Sequence, residues 1–401
     1  MPISPESYKI IVEIYVGRLC HFIWIFHSNV RVDKPFLRKI GGPDMLTKMI
    51  KSLKKNPRTI VFPEGSDYRI LDAAQRLTKE KILNVILLGN EEEIKAAAAK
   101  DNYCVDGCTI VDPATYPEFD AMVAEMVALR KGKMTDEQVR AALSKTNYFG
   151  TMLVKMGKAD CLLGGATYST ADTIRPALQL VKTKPGNKIV SSCMIMVKGD
   201  EKLVMADPAI NVDPNEDELV EIAIESAKTA KIFGIDPKVA MLSYSTHGSG
   251  KGPTVDKVAN ATKKIKEACP DLAVDGELQF DASVDMEVAS LKCPGSPVAG
   301  QANTFIFPDI NAGNIGHKIA ARLGGYLAVG PILQGLNAPI NDLSRGCNAE
   351  EVYSMAIVTA AFSLPEDAEE PVDIEITSEE ELEELIKMVI EVLKAANKLV
   401  K

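Results

Sequence analysis

From Met45 to Phe362 the chain repeats one unit: a short apolar run, a loop rich in Gly, Ser or Thr, and an amphipathic helical stretch. RTIVFPEG reads as a strand ending in a turn, and DYRILDAAQRLTKE as the helix that follows it. NVILLG and EEEIKAAAAK repeat the pattern. CLLGGATYSTADTIRPALQLV, KVAMLSYSTHGSG and NTFIFPDINAGNIGHKIAARLGG each hold strand, loop and helix in that order. Strands alternating with helices in this rhythm predict an α/β fold with mainly parallel sheets. Sites in such folds form at the carboxyl ends of the strands, where these Gly/Ser/Thr loops lie.

A chain of 401 residues exceeds one ordinary core, so two domains are expected. A net charge of −9 argues against a protein that coats nucleic acid or an anionic membrane. A small anionic substrate stays compatible with it, since a few converging Arg residues reverse the local potential. The eight Cys are scattered and form no C-x-x-C pair. Cys104 and Cys108 stand closest, with no His or second pair beside them, so reduced and mostly buried thiols of a cytosolic protein are expected rather than zinc. Four His (His21, His27, His247, His317) make a multi-His metal centre an unfavourable reading as well.

The two ends break the rhythm. Residues 1–44 hold the only Trp, Trp24, and the run IIVEIYVGRLCHFIWIF, interrupted by Glu13, Arg18 and His21. Its charge-free piece, Leu19 to Phe26, is far shorter than the ~20 residues of a spanning helix. A packing arm and translation starting upstream of a domain that begins at Met45 both fit this segment. Residues 364–401 read as an acidic linker followed by an amphipathic helix, with Ser378 and Glu381 as its capping box.

Several loops carry residue types that can do chemistry. GGATYSTADTIRP (164–176) combines two Gly, the hydroxyls of Thr167, Ser169, Thr170 and Thr173, and Arg175. Such a loop entering a helix offers backbone N–H groups and a guanidinium to an anion; ordinary capping with a surface Arg fits equally well. HGSGKGPT (247–254) fails the Walker A pattern because Gly252 follows Lys251, and fails G-x-G-x-x-G at Pro253. A solvated, locally cationic loop remains. Arg130, Lys131 and Lys133 near the end of a helix suit its dipole in any protein. Asp281 and Asp309 stand beside Gly-rich turns, where caps are the simpler reading. NDLSRGCNAEEVY (341–353) reads as a strand–loop–helix junction whose Asn348 and Glu351 form a capping box. That leaves Ser344 and Arg345, in the tight turn before the cap, as either a solvated loop or an anion site.

Taken together, VFPEGSDYRILDAA, TYSTADTIRPALQLVKT, KVAMLSYSTHGSGKG, DGELQFDA, SPVAGQANTFIFPDINAGNIGHKIAARLGG and GPILQGLNAPINDLSRGC resemble the phosphate acetyltransferase (phosphotransacetylase) family of phosphate acetyl/butyryltransferases. The resemblance runs in order from Leu46 to Phe362 and leaves both ends out. It implies reversible acetyl transfer between acetyl phosphate and coenzyme A with release of orthophosphate, by direct attack of the thiolate in a ternary complex. Coenzyme A is then a substrate, and no cofactor, metal, nucleic acid or membrane is called for. The implied fold is two three-layer α/β domains of the isocitrate/isopropylmalate-dehydrogenase-like type, with the active-site cleft between them. Residues 45–187 plus 332–363 would form domain I and 188–331 domain II, in a cytoplasmic homodimer. Phosphate butyryl transfer, and a non-catalytic acyl-CoA-sensing domain, are the neighbouring possibilities.

The same resemblance implies roles. Ser344 and Arg345 line the active site, and Glu351 stands where the family has its general base. Arg130, Arg175 and Thr170 fall in the substrate- and coenzyme-A-binding strings. One departure stands out: the family usually has Asp where this chain has Glu351, one methylene longer. Three Arg residues from separate segments suit substrates that are polyanions.

Overall fold

The computed structural model describes residues 42–365, with side chains from residue 46 onward. The readings made above for residues 1–41 and 366–401, including the C-terminal helix, lie outside the described residues.

Eleven strands build two sheets. The first consists of β1 (Thr59–Phe62), β2 (Asn84–Leu88), β3 (Thr109–Val111), β4 (Cys161–Gly164) and β11 (Ile340–Asp342), in the order β11-β4-β1-β2-β3. Every pairing in it is parallel. The second consists of β5 (Ser191–Lys198), β6 (Glu201–Ala206), β7 (Lys238–Leu242), β8 (Ala273–Leu278), β9 (Thr304–Ile306) and β10 (Leu327–Gln334), in the order β10-β5-β6-β9-β7-β8. Here β6-β9-β7-β8 is parallel, while β10 and β5 add antiparallel pairings at one side. The mainly parallel α/β fold expected from the strand–loop–helix rhythm is therefore present.

Both sheets are covered on both faces, which is what their uninterrupted apolar strands require. In β1, Ile60 and Phe62 point into one core and Val61 into another. In β5, Ile195 and Val197 share the core of Ile60, while Met194 and Met196 face a third cluster. One buried cluster thus runs from the first sheet to the second. The helix Ala349–Ala361 carries it across, with every side chain from Val352 to Ala361 buried. Its sequence, AEEVYSMAIVTAA, is apolar nearly all round beyond its first turn, as a helix enclosed by protein must be. Phe362, just past its end, packs on Phe233 with ring centroids 6.3 Å apart.

The chain passes between the sheets twice, and the two passages are bonded to each other. Thr183 and Leu336 form an isolated antiparallel bridge. Lys184 N donates to Gly335 O at 2.9 Å and Asn337 N to Lys182 O at 2.9 Å. Asn341, 1% exposed, joins three elements immediately afterwards. Its Oδ1 accepts from Leu333 N of β10 at 2.8 Å, and its Nδ2 donates to Thr359 Oγ1 of the covering helix at 3.0 Å. Asn341→Leu strands the Leu333 N–H in the interior, so it lowers stability by about 1–3 kcal/mol; urea unfolding that matches wild type would show that the amide is dispensable.

Candidate active site

Because β11, β4 and β1 are parallel neighbours, the loops that follow them emerge at one edge of the first sheet. Those loops are Pro63–Asp67, Gly165–Ser169 and Leu343–Asn348. A buried carboxylate ties the first two together. Glu64 Oε2 accepts from Gly165 N at 2.9 Å and Ala166 N at 3.1 Å. Its Oε1 accepts from Thr167 N, from Thr167 Oγ1 at 2.7 Å and from Tyr168 N at 3.1 Å. Four successive backbone N–H groups converging on one anion form a nest. The sequence offered these donors to an external anion; in the folded chain Glu64 already occupies them.

A buried guanidinium ties the second loop to the third. Arg69 is 8% exposed, and Asp67 grips it from Nε at 2.9 Å and Nη2 at 2.8 Å. This is the bidentate geometry in which Arg holds carboxylates most firmly. The remaining donors go to carbonyls: Nη2 to Ala166 O at 2.8 Å, and Nη1 to Arg345 O at 2.9 Å and Cys347 O at 3.1 Å. Asp67 also caps the helix Tyr68–Lys79 by accepting from Arg69 N. Burial works to raise the Asp67 pKa, but the hydrogen bonds and charge of Arg69 outweigh it and hold the carboxyl below its ordinary value.

Gly165 lets the loops interdigitate. It adopts φ +102°, and a Cβ there would meet Asp342 Oδ1 at 2.3 Å and Leu343 N and O at 2.8 Å. Asp342 is itself buried, and Oδ1 has no partner meeting full hydrogen-bond geometry among the described residues. Burial raises its pKa; the hydroxyls of Thr170 and Thr173 work against the rise, and the charge of Glu64 adds to it.

On this frame sit the residues singled out in the sequence. Ser344 and Arg345 are exposed at the tip of the third loop, with Ser344 Oγ accepting from Gly346 N at 3.3 Å and Ser344 O from Cys347 N at 2.9 Å. The Arg345 side chain makes no ion pair among the described residues, although its own carbonyl is held by Arg69. The capping box is present: Asn348 Oδ1 accepts from Glu351 N at 2.9 Å, and Glu351 Oε2 accepts from Asn348 N at 3.1 Å. Glu351 Oε1 has no hydrogen bond among the described residues. Thr170 opens the helix Thr170–Pro176 and faces Asp342 from its first turn. Arg175 is exposed on the same helix, and Arg130 ends the helix Phe119–Arg130. The charges of both Arg reach Tyr148, and Arg130 Nη1 donates to Gln179 O at 3.3 Å. The structure thus forms two groups, one at Ser344–Arg345 and one at Arg130–Arg175, joined by that short helix.

The other candidate loops resolve simply. The HGSGKG loop is also filled by an internal carboxylate, since Glu277 Oε1 accepts from Gly248 N at 2.7 Å and Ser245 Oγ at 2.9 Å. Asp309 caps its helix on Ala312 N, and Asp281 pairs with Lys292 at 2.8 Å. Among the described residues no group of three His, Cys, Asp or Glu is arranged to hold a metal, and no helix is long and apolar enough to cross a membrane. Next to the Glu64 nest an open cavity of about 380 Å³ is lined by Glu64, Asp67, Gly89, Thr146, Thr167 and Tyr168 among others.

Glu64, Asp67, Arg69 and Asp342 were missed as individual functional residues. Their only signal was membership of the strings FPEGSDYR and NDLSRG.

With this geometry in view, the model of the family described as Phosphate acetyl/butaryl transferase matches residues 44–360. The chain belongs to that family. It is 57% identical over 305 residues to a phosphate acetyltransferase of Bacillus subtilis, covering 76% of this chain and 94% of the relative. A phosphotransacetylase structure from Streptococcus pyogenes superposes with TM-score 0.78 at 53% identity, covering 80% of this chain and 98% of that one. One from Staphylococcus aureus gives TM-score 0.76 at 49% identity with the same coverage. The resemblance drawn from the six strings is therefore correct, and membership makes the chain an acyltransferase.

The depressed Asp67 pKa has a defined sign. Its stabilising contribution is fully present above the ordinary Asp value of about 3.9 and is lost as the pH falls through the lower folded value. Asp67→Asn should therefore melt below wild type at neutral pH, with the gap narrowing only under about pH 4. A gap that stays constant down to pH 3 would show that the Asp67 charge does not stabilise the fold.

Proposed function

We propose that the chain catalyses reversible acetyl transfer between acetyl phosphate and coenzyme A, releasing orthophosphate. The observation that carries this reading is Arg345: an exposed guanidinium without a carboxylate partner among the described residues, on a turn whose backbone Arg69 clamps. Such a cation is preorganised for an anion arriving from solvent. Ser344 and Arg345 act as donors to the acyl phosphate and to the oxyanion that develops when the thiolate attacks the acetyl carbonyl in a ternary complex.

Glu351 takes the thiol proton. A thiol with an ordinary pKa of about 8.5 is mostly protonated at neutral pH, so a carboxylate base assists attack. Capping and catalysis do not compete for the same atom. The cap uses Oε2, and Oε1 is left to accept the proton. Arg130, Arg175 and Thr170 bind the phosphate-bearing portions of the substrates.

The wider assignments follow the same reading. Residues 45–187 with 332–363 form domain I and 188–331 domain II, of the isocitrate/isopropylmalate-dehydrogenase-like type with the cleft between them. The two sheets, drawn from residues 59–164 with 340–342 and from 191–334, support two domains, with β10 running three residues past the boundary at 331. Seven free thiols among the described residues favour the cytoplasm. A homodimer is supported by the helix Ile310–Arg322, which with its C-cap exposes Ile315, Ile319 and Leu323 at four-residue spacing.

Purified protein mixed with acetyl phosphate and coenzyme A should form the thioester; coenzyme A binding without turnover would overturn the reading. Arg345→Ala should lower kcat/KM by about 100-fold or more while leaving the melting temperature in place. Glu351→Gln keeps the capping box, because Gln serves at that position too, so a rate loss of about 100-fold isolates the base role. An unchanged rate would leave Glu351 a cap only. Light scattering should give twice the chain mass, and Ile319→Asp should halve it; a wild-type monomer would end the dimer proposal.

A further inference from the structure

A second polar group forms at the π-helical turn Ala177–Val181, on which both the helix Phe119–Arg130 and the helix Thr146–Lys155 pack. Arg130 Nη1 donates to the Gln179 carbonyl at 3.3 Å, and its Nε is buried with no hydrogen-bond partner among the described residues. The Tyr148 hydroxyl donates to Gln179 Oε1 at 3.1 Å. Neither Arg130 nor Arg175 makes an ion pair among the described residues. Both nevertheless face one phenol: burial pushes the Tyr148 hydroxyl above its ordinary value, while Arg175 and then Arg130 pull it down and Asp172 adds to the rise.

Two guanidinium groups whose charges reach one hydroxyl favour an anion within range of both. Asp172, the carboxylate in range of the phenol, accepts from Ser169 Oγ at 2.6 Å and offsets part of the Arg175 charge, while Arg130 makes no ion pair among the described residues. A phenol beside the pair adds a neutral donor, the usual third partner of a phosphate oxygen. The Gln179 amide decides where that donor points. With Oε1 towards the phenol, Tyr148 spends its single proton on Gln179. With Nε2 towards it, the amide donates and the phenolic proton is released to a ligand. The Gln179 side chain sits on a π-helical turn directly after Pro176, a local irregularity of the kind enriched at functional sites.

We infer that Tyr148 is a ligand, beside Arg130 and Arg175, of a phosphate-binding subsite, and that Gln179 is its positioning residue. The inference rests on the acetyl transfer proposed above, whose two substrates both carry phosphate: acetyl phosphate, and the phosphate groups of coenzyme A.

The test uses the full chain. Wild-type turnover is measured first; its absence defeats the proposed function, and the subsite is then read by calorimetric titration with coenzyme A and with inorganic phosphate. Tyr148→Phe should raise KM, or weaken binding, about tenfold for one phosphate ligand while kcat and melting temperature stay close to wild type. A rise confined to coenzyme A assigns the subsite to a phosphate of that molecule. A rise confined to acetyl phosphate, or to inorganic phosphate in titration, assigns it to the acyl donor. No change for either overturns the subsite. Gln179→Glu supplies an oxygen that only accepts, so it holds the phenolic proton and adds a negative charge. It should reproduce the rise, and Tyr148→Phe should add nothing in that background. Fully additive effects would remove Gln179 from the role.

Discussion

Everything at the active edge depends on one carboxylate filling one backbone nest. Glu64 satisfies four consecutive N–H groups of the loop after β4, and no neighbouring side chain reaches all of them. Without it the N–H groups of the buried Gly165 and Ala166 would stand unpaired, each a cost of about 1–3 kcal/mol. The loop would have to find another path. Its position in turn fixes the Ala166 carbonyl that Arg69 needs, and through Arg69 the carbonyls of Arg345 and Cys347. The exposed tip of the Ser344–Arg345 turn is held from behind by the buried Arg69.

The arrangement separates two tasks usually given to one motif. In many α/β proteins a Gly-rich loop receives phosphate on its own N–H groups. Here internal carboxylates occupy such loops twice, Glu64 after β4 and Glu277 beside the HGSGKG turn. Backbone donors are spent on shape. Arg175 and Arg345, by contrast, are exposed and make no ion pair among the described residues. A chain with net charge −9 can therefore present a local cationic surface without a basic overall composition.

Much of this was legible from local pattern. DYRILDAAQRLTKE gives the helix Tyr68–Lys79, and the Asn348–Glu351 box was readable because its two partners lie three residues apart. What local pattern could not show was pairing across the chain. Arg69 looks like one more polar residue on a helical face, yet its partners in the Ser344–Cys347 turn are 276 and 278 residues away. The nest of Glu64 spans 101 to 104 residues. The run YLAVGPILQG likewise reads as apolar without revealing that it turns antiparallel against β5. The six family strings pointed to Ser344, Arg345 and Glu351 by likeness, but likeness names residues and not the bonds that hold them.

The two bonded passages between the sheets have a mechanical meaning. Paired chain segments resist twisting more than a single linker does, so they form a flat strap that bends across its width and little else. Asn341 rivets the end of that strap to the covering helix. Ser344 lies only three residues further on, and Arg130 donates to the carbonyl of Gln179, three residues before Lys182, so both stand close to the pivot. In any rocking of one sheet against the other, the groups nearest the pivot sweep the least and those on the arm the most. The turn at Ser344 and the group at Arg130 would keep their places relative to each other in such a motion.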